Sequence, residues 1–467
     1  MNSETLEDLS IKLIDGDRGK NYPKQSDFFD NSDCLFLSAK NVTKNGFEFT
    51  DCSFISKEKD QQLRAGKLER NDIVLTTRGT IGNSAFYDDS IGISSVRINS
   101  GMIILRPDTK VWNPRFLYFL LNSELVIQQI SALTSGSAVP QLPARDLRKF
   151  VLPKVSLNKQ NKIVEIIGTV VDKVQINRSI NQTLEQMAQA LFKSWFVDFE
   201  PVKAKITVLE AGGSQEEATL AAMTAISGKD VDALVVFKRV HPEQYAELKA
   251  TVELFPSAMQ GSEMGKIPEG WRYGPLSSIA TFANGKVDVC SLTPESYIST
   301  ENMLENRAGI SIASSLPSVN SVPEFRCGHV LISNIRPYFK KIWLARFKGG
   351  RSADVLAFEA LDSVTVEYVY NLLYQETFFN FMMLTSKGVK MPRGDKKSIM
   401  GWQCVLPDKK ISNAFSKAVS EYYSFIEINN AQNKTLTQLR DILLPKILSG
   451  EISLPEAELA VSEVENV

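Results

Sequence analysis

Residues 176–184 read INRSINQTL and residues 428–436 read INNAQNKTL, a near-repeat about 252 residues apart. Upstream at the same offset, residues 115–121 (RFLYFLL) match residues 367–373 (EYVYNLL), and Leu133-Thr134-Ser135 matches Leu384-Thr385-Ser386 one residue out of step. Both copies then pass through a basic, proline-containing stretch to Val-Leu-Pro, at Val151-Leu152-Pro153 and Val405-Leu406-Pro407. Further back, residues 36–41 (FLSAKN) resemble residues 297–302 (YISTEN). One such match arises by chance, but matches in the same order along both halves point to a duplication. Each half also opens with short β-like runs, such as 72–77 (DIVLTT) and 329–333 (HVLIS), before a long helical pattern. The expected fold class is α+β, a compact globule feeding a long helix, made twice.

The repeated peptide lies inside that helical pattern. In the first copy Ile163, Ile167, Val170, Val174, Asn177, Asn181, Leu184, Ala188, Leu191 and Trp195 follow alternating steps of four and three. In the second copy the same steps connect Phe415, Val419, Tyr422, Ile426, Asn429, Asn433, Leu436, Arg440, Leu443 and Ile447. This spacing is a heptad seam, which predicts a coiled coil. Antiparallel pairing about the centres sets Asn177 opposite Asn433 and Asn181 opposite Asn429, with Ile163 against Ile447 and Trp195 against Phe415. A polar layer of this kind fixes register at some expense in stability. The expected plan is a first α+β domain at 1–153, a first helix at 154–201 and a partly helical connector at 202–266. A second α+β domain at 267–407, a second helix at 408–450 and a mobile acidic tail at 451–467 complete it.

Composition narrows the chemistry. Among 467 residues, 43% are hydrophobic and 23% charged, enough for sizeable cores. Two histidines (His241 and His329) and five dispersed cysteines without a C-x-x-C pair leave no material for a metal cage or a histidine-based triad, so no metal and no catalytic residue is expected. No Asn/Asp-Pro-Pro-Tyr/Phe motif of amino-methyltransferases occurs, and the glycine-lysine run at 261–267 is a degenerate P-loop that lacks the hydroxyl residue. No stretch approaches the roughly 20 apolar residues that span a bilayer, and the acidic residues 1–10 do not read as an export signal, so a cytoplasmic location without membrane attachment is expected.

The net charge is −1, so any polyanion surface must come from segregated charge. Lys387, Lys390, Arg393, Lys396 and Lys397 cluster around the single acid Asp395, and Arg145, Arg148 and Lys149 cluster around Asp146, beside Ser135 and Gln141. A second surface follows the β-run of each copy: Thr77 and Arg78 in the first, Asn334, Arg336, Lys340 and Lys341 in the second. Lys and Arg hold phosphates, whereas Arg, Gln, Asn and hydroxyl side chains reach base edges. Trp195, Phe196 and Phe199 form an apolar group larger than one seam needs and are candidates for docking a partner.

The run LEQMAQALFKSWFVDFEPVKAK at 184–205, MGKIPEGW at 264–271 and LLPKILSGEI at 443–452 resemble the specificity subunits of type I restriction-modification systems, the HsdS family. The resemblance covers nearly the whole chain. It implies two target-recognition domains, each reading half of a bipartite, asymmetric double-stranded DNA sequence. It also implies helices that set the spacer and dock two methyltransferase subunits, which recruit translocating restriction subunits. S-adenosylmethionine, ATP and magnesium then belong to those partners and no cofactor to this chain. The alternative is a coiled-coil adaptor that binds only proteins and lacks DNA specificity.

Overall fold

The computed structural model describes residues 3–134, 141–388 and 390–465. The chain divides into two compact units, Met1–Arg178 with Asn429–Val467, and Ser179–Ile428. In the first unit, a four-stranded antiparallel sheet runs in the order Ile11–Asp15, Met102–Pro107, Asp72–Thr76, Ser84–Tyr87. Its inner strand DIVLT is buried on both faces, in keeping with its continuous Ile73-Val74-Leu75 run. The buried Asp72 is held by the Arg106 fork, with Nε donating at 2.8 Å and one Nη at 2.7 Å. A smaller sheet pairs Cys34–Leu37 in parallel with Val96–Ile98.

The second unit repeats the four-stranded sheet and the parallel pair, while its smaller sheet has four strands where that of the first has three. Its four-stranded sheet runs Ala280–Phe282, Val355–Ala360, Val330–Ser333, Ile342–Leu344, and Tyr297–Ile298 pairs in parallel with Gly349–Arg351. Each domain is closed by a strand pair, Ser3–Thr5 with Val151–Pro153 and Arg272–Pro275 with Gln403–Leu406. Even a cap is copied: the Ser38 N–H donates to Asn41 Oδ1 at 2.9 Å, and the Ser299 N–H to Asn302 Oδ1 at 2.6 Å. The duplication read from the sequence is present in the topology.

The two heptad patterns form single helices, Leu157–Phe196 and Lys409–Ser449. Within the first unit, Ile163, Ile167, Val170 and Val174 share a core with Leu436, Leu443 and Ile447. There Asn177 is buried, and its Nδ2 donates to Gln432 Oε1 (2.7 Å) and Asn433 Oδ1 (3.0 Å). Within the second unit, Phe192 and Trp195 meet Phe415 with ring centroids 5.6 and 5.9 Å apart. Both units show antiparallel pairing in the expected register. The seam is less regular than its heptads suggest: Tyr423 rather than Tyr422 is buried, Arg440 keeps a partly exposed guanidinium, and Asn181 and Asn429 are half-buried.

Two segments are more ordered than expected. The connector is four helices, Glu200–Glu210, Gln215–Ser227, Val231–Val240 and Pro242–Glu253, around Ala222, Met223, Leu234 and Val252. A capping box at Ser214 and Glu217, an N-cap at Asp230 and a left-handed Gly228 (φ +66°) punctuate them. The buried Lys205 ammonium donates to the Val252 and Phe255 carbonyls at 2.8 and 2.6 Å, closing the last helix end. The acidic tail, expected to be mobile, forms the helix Leu454–Glu465. Ala457 and Val461 on one face enter the core of the first unit, while Glu458 and Glu463 on the other stay exposed. A high acidic count does not prevent folding when small apolar residues repeat at helical spacing.

Candidate nucleic-acid interface

In each unit the second strand from the sheet edge ends in a loop pinned by the same clamp. In the first unit, the Thr77 N–H donates to the Gly101 carbonyl at 2.8 Å, and the Thr77 carbonyl accepts from the Leu142 N–H at 3.0 Å. In the second, the Asn334 N–H donates to the Asp354 carbonyl at 2.8 Å, and the Asn334 carbonyl accepts from the Gly394 N–H at 3.2 Å. The next residue makes an isolated β-bridge in both, Arg78 with Gln141 and Ile335 with Arg393. Three residues beyond the bridge a short helix begins, Ala144–Leu147 in one and Lys396–Met400 in the other. The loops that the sequence marked as basic and hydroxyl-rich are therefore joined pairwise into one surface per unit.

Arg78, Gln141, Arg145, Arg148 and Lys149 are exposed on the first surface. Asp146 tethers Lys149 at 2.7 Å and Arg145 at 3.7 Å, and the Lys149 hydrogen bond holds the Asp146 carboxyl below its ordinary range. No ion pair among the described residues engages Arg78 or Arg148. Ser135 lies outside the described residues.

On the second surface Lys387, Lys390, Arg393, Lys396 and Lys397 are exposed. Lys387 pairs with Asp395 at 2.8 Å, and that bond, helped by the Ser398 N–H, keeps the Asp395 carboxyl well below its ordinary range. Arg393 has an acid that the local sequence did not reveal, Asp354 at 3.2 Å. Lys396 lies over the Phe282 ring at 5.9 Å, while Lys390 and Lys397 carry no ion pair among the described residues.

Several expected site residues are corrected. Thr77 is 5% and Asn334 7% exposed, so both serve the clamp through their backbones and offer no side chain to a ligand. Asn334 Nδ2 donates to the Gly394 carbonyl at 3.2 Å, tightening the same junction. Lys340 is bound to Glu376 at 2.6 Å, and Lys341 donates to the Thr300 carbonyl at 2.8 Å, so both fasten their own loop. Arg336 is half-buried with a left-handed backbone (φ +50°), one position past the bridge, which makes Ile335 rather than Arg336 the counterpart of Arg78.

Trp195, Phe196 and Phe199 are buried in the second unit, not presented to a partner. Phe196 meets Tyr368 at 4.9 Å and Phe415 at 5.4 Å, and Phe199 meets Trp271 at 5.9 Å. The apolar surplus that exceeded one helical seam is absorbed by the recognition domain of the same unit. Among the described residues, no group of three or more His, Cys, Asp or Glu is arranged to hold a metal, and no single helix is long and apolar enough to cross a membrane.

The fold and the paired surfaces define a class: a duplicated α+β recognition domain carried on an antiparallel helix pair. Residues 5–186 match the family described as the type I restriction modification DNA specificity domain. The specificity subunit of the type I restriction enzyme HindI from Haemophilus influenzae is 28% identical over 463 residues, covering 94% of this chain and 98% of its own length. That of MjaIX from Methanocaldococcus jannaschii is 22% identical over 403 residues, covering 83% of this chain and 79% of its own. A solved type I S subunit from M. genitalium aligns over 96% of this chain and 95% of its own at 13% identity, with a TM-score of 0.41. Over nearly its whole length the chain is thus similar to type I restriction-modification specificity subunits, and its residues 5–186 match their DNA specificity domain.

Proposed function

We propose that this chain is the DNA-reading subunit of a type I restriction-modification enzyme, with each unit recognising one half of a bipartite, asymmetric double-stranded target. The observation that carries the reading is the repeated bridged surface: one backbone arrangement, built twice, bearing different side chains. A duplicated scaffold with divergent surfaces suits two unlike half-sites. The paired helices set the spacer and dock two methyltransferase subunits, through which restriction subunits join. Large apolar side chains left exposed on the helices within the second unit, Phe425 (57%) and Ile428 (62%), support docking of a protein there. This chain supplies recognition and no catalytic residue. S-adenosylmethionine, ATP and magnesium serve the partner subunits.

The test is DNA binding by the chain assembled with its methyltransferase subunit, measured by fluorescence anisotropy across a salt series. The log of affinity should fall with log salt by about 0.9 for each phosphate contacted. Target DNA should exceed unrelated duplex by roughly 10³-fold or more. Equal binding to all duplexes, or none, favours the protein-only adaptor.

A further inference from the structure

We infer that the two bridged pairs, Arg78 with Gln141 and Ile335 with Arg393, are matched specificity positions, each pair reading bases in its own half-site. Under the function proposed above, this assigns the discriminating contacts to four side chains among many basic ones. The clamp fixes the backbone on both sides of each bridge, since Thr77 and Asn334 are each tied by N–H and carbonyl to two other segments. A base-reading side chain needs such a rooted start, because a bidentate contact tolerates little positional error. Lys387 is bridged to Arg393 as well but spends its ammonium on Asp395 at 2.8 Å, while Lys390, Lys396 and Lys397 stand outside the bridges and suit phosphates, which position the duplex without reading it.

The side chains differ where the backbone does not. In the first unit the bridge carries Arg78 and Gln141, a guanidinium fork suited to guanine O6 and N7 and an amide suited to adenine N6 and N7. In the second it carries Ile335, an apolar surface for a thymine methyl, and Arg393, a fork for guanine. Arg393 is 55% exposed on its side chain while one Nη is held by Asp354 at 3.2 Å, so it is oriented and still open. Arg78 is exposed with no ion pair among the described residues. Two half-sites of different sequence require this pattern of equivalent positions with exchanged chemistry.

The experiment is methylome sequencing of cells carrying the full chain with its methyltransferase subunit. Gln141→Ala should relax one base position of one half-site, and Arg393→Gln one base position of the other. Methylation at the newly accepted bases should rise roughly 5- to 150-fold relative to wild type, the worth of a good bidentate contact. Arg78→Lys keeps the charge but loses the fork, and should relax the same half-site as Gln141→Ala. Lys397→Ala should lower methylation evenly and leave both half-sites unchanged.

The double swap Arg78→Ile with Gln141→Arg should alter the first half-site alone. Unchanged motifs in variants that melt and assemble as wild type overturn the assignment. So does loss of all methylation without a change of motif, or Gln141→Ala and Arg393→Gln acting on the same half-site. A wild-type chain that directs no bipartite methylation defeats the proposed function itself, so the two failures are distinguishable.

Discussion

Glu185 concentrates the tension between burial and charge in this protein. It lies on the first long helix inside the second unit, with one carboxylate oxygen buried and without a hydrogen-bond partner. Burial pushes its pKa from 4.5 up to about 7, against hydrogen bonds from Gln189 and Tyr370 that favour the charged form. Since the folded value exceeds the unfolded one, the stability is fully present below about pH 4.5 and is lost as pH rises through about 7. The loss across that window is on the order of 3 kcal/mol. Glu185→Gln should therefore raise the melting temperature at pH 8 and flatten the stability profile between pH 5 and pH 8. A variant whose pH profile matches wild type would contradict this. Such a residue is invisible in sequence, where Glu185 is one more polar position beside the seam. Its burial comes from Tyr370 and Tyr423, which reach it only after the chain has folded back. The same distance hid the role of Phe196, whose partners Tyr368 and Trp271 come from elsewhere in the chain.

At the scale of elements, periodicity was the legible signal and long-range pairing the illegible one. The steps of four and three through Asn177 and Asn433 predict two helices and their register, and Asn177 does meet Asn433. The β-runs at 72–77 and 329–333 locate the central strands, and the clamp loops follow them. The bridge partners Gln141 and Arg393 are separated from those strands by helices, so no local pattern joins them. Composition misled at the C-terminus, where Glu-rich sequence conceals the helix Leu454–Glu465. Removing residues 454–467 should strip Leu454, Ala457, Ala460 and Val461 from the first core. The expected destabilisation is about 2–5 kcal/mol, from the loss of two buried and two partly buried apolar side chains. Calorimetry should show a lower transition for the first unit. An unchanged melt would mean that the helix contributes nothing to the fold.

At the scale of the whole molecule, the proposed function has two unlike readers on one helix pair recognising two half-sites at one spacing. The repeat in sequence, the matched sheets and the matched clamps support the readers. The spacing is the part that an insertion tests. Seven residues of α-helix add about 10.5 Å, which corresponds to about three base pairs of B-DNA. Placing one heptad beside Leu184 and one beside Ile426 extends both helices while leaving the contact between Asn177 and Asn433 intact. Three base pairs also rotate one half-site by about a third of a turn, so affinity should fall unless the scaffold flexes. The deciding measurement is the methylation map of cells carrying this lengthened chain with its methyltransferase. Both half-site sequences retained, with a spacer wider by about three base pairs, is the predicted result. Both half-sites retained with the original spacer would contradict the account.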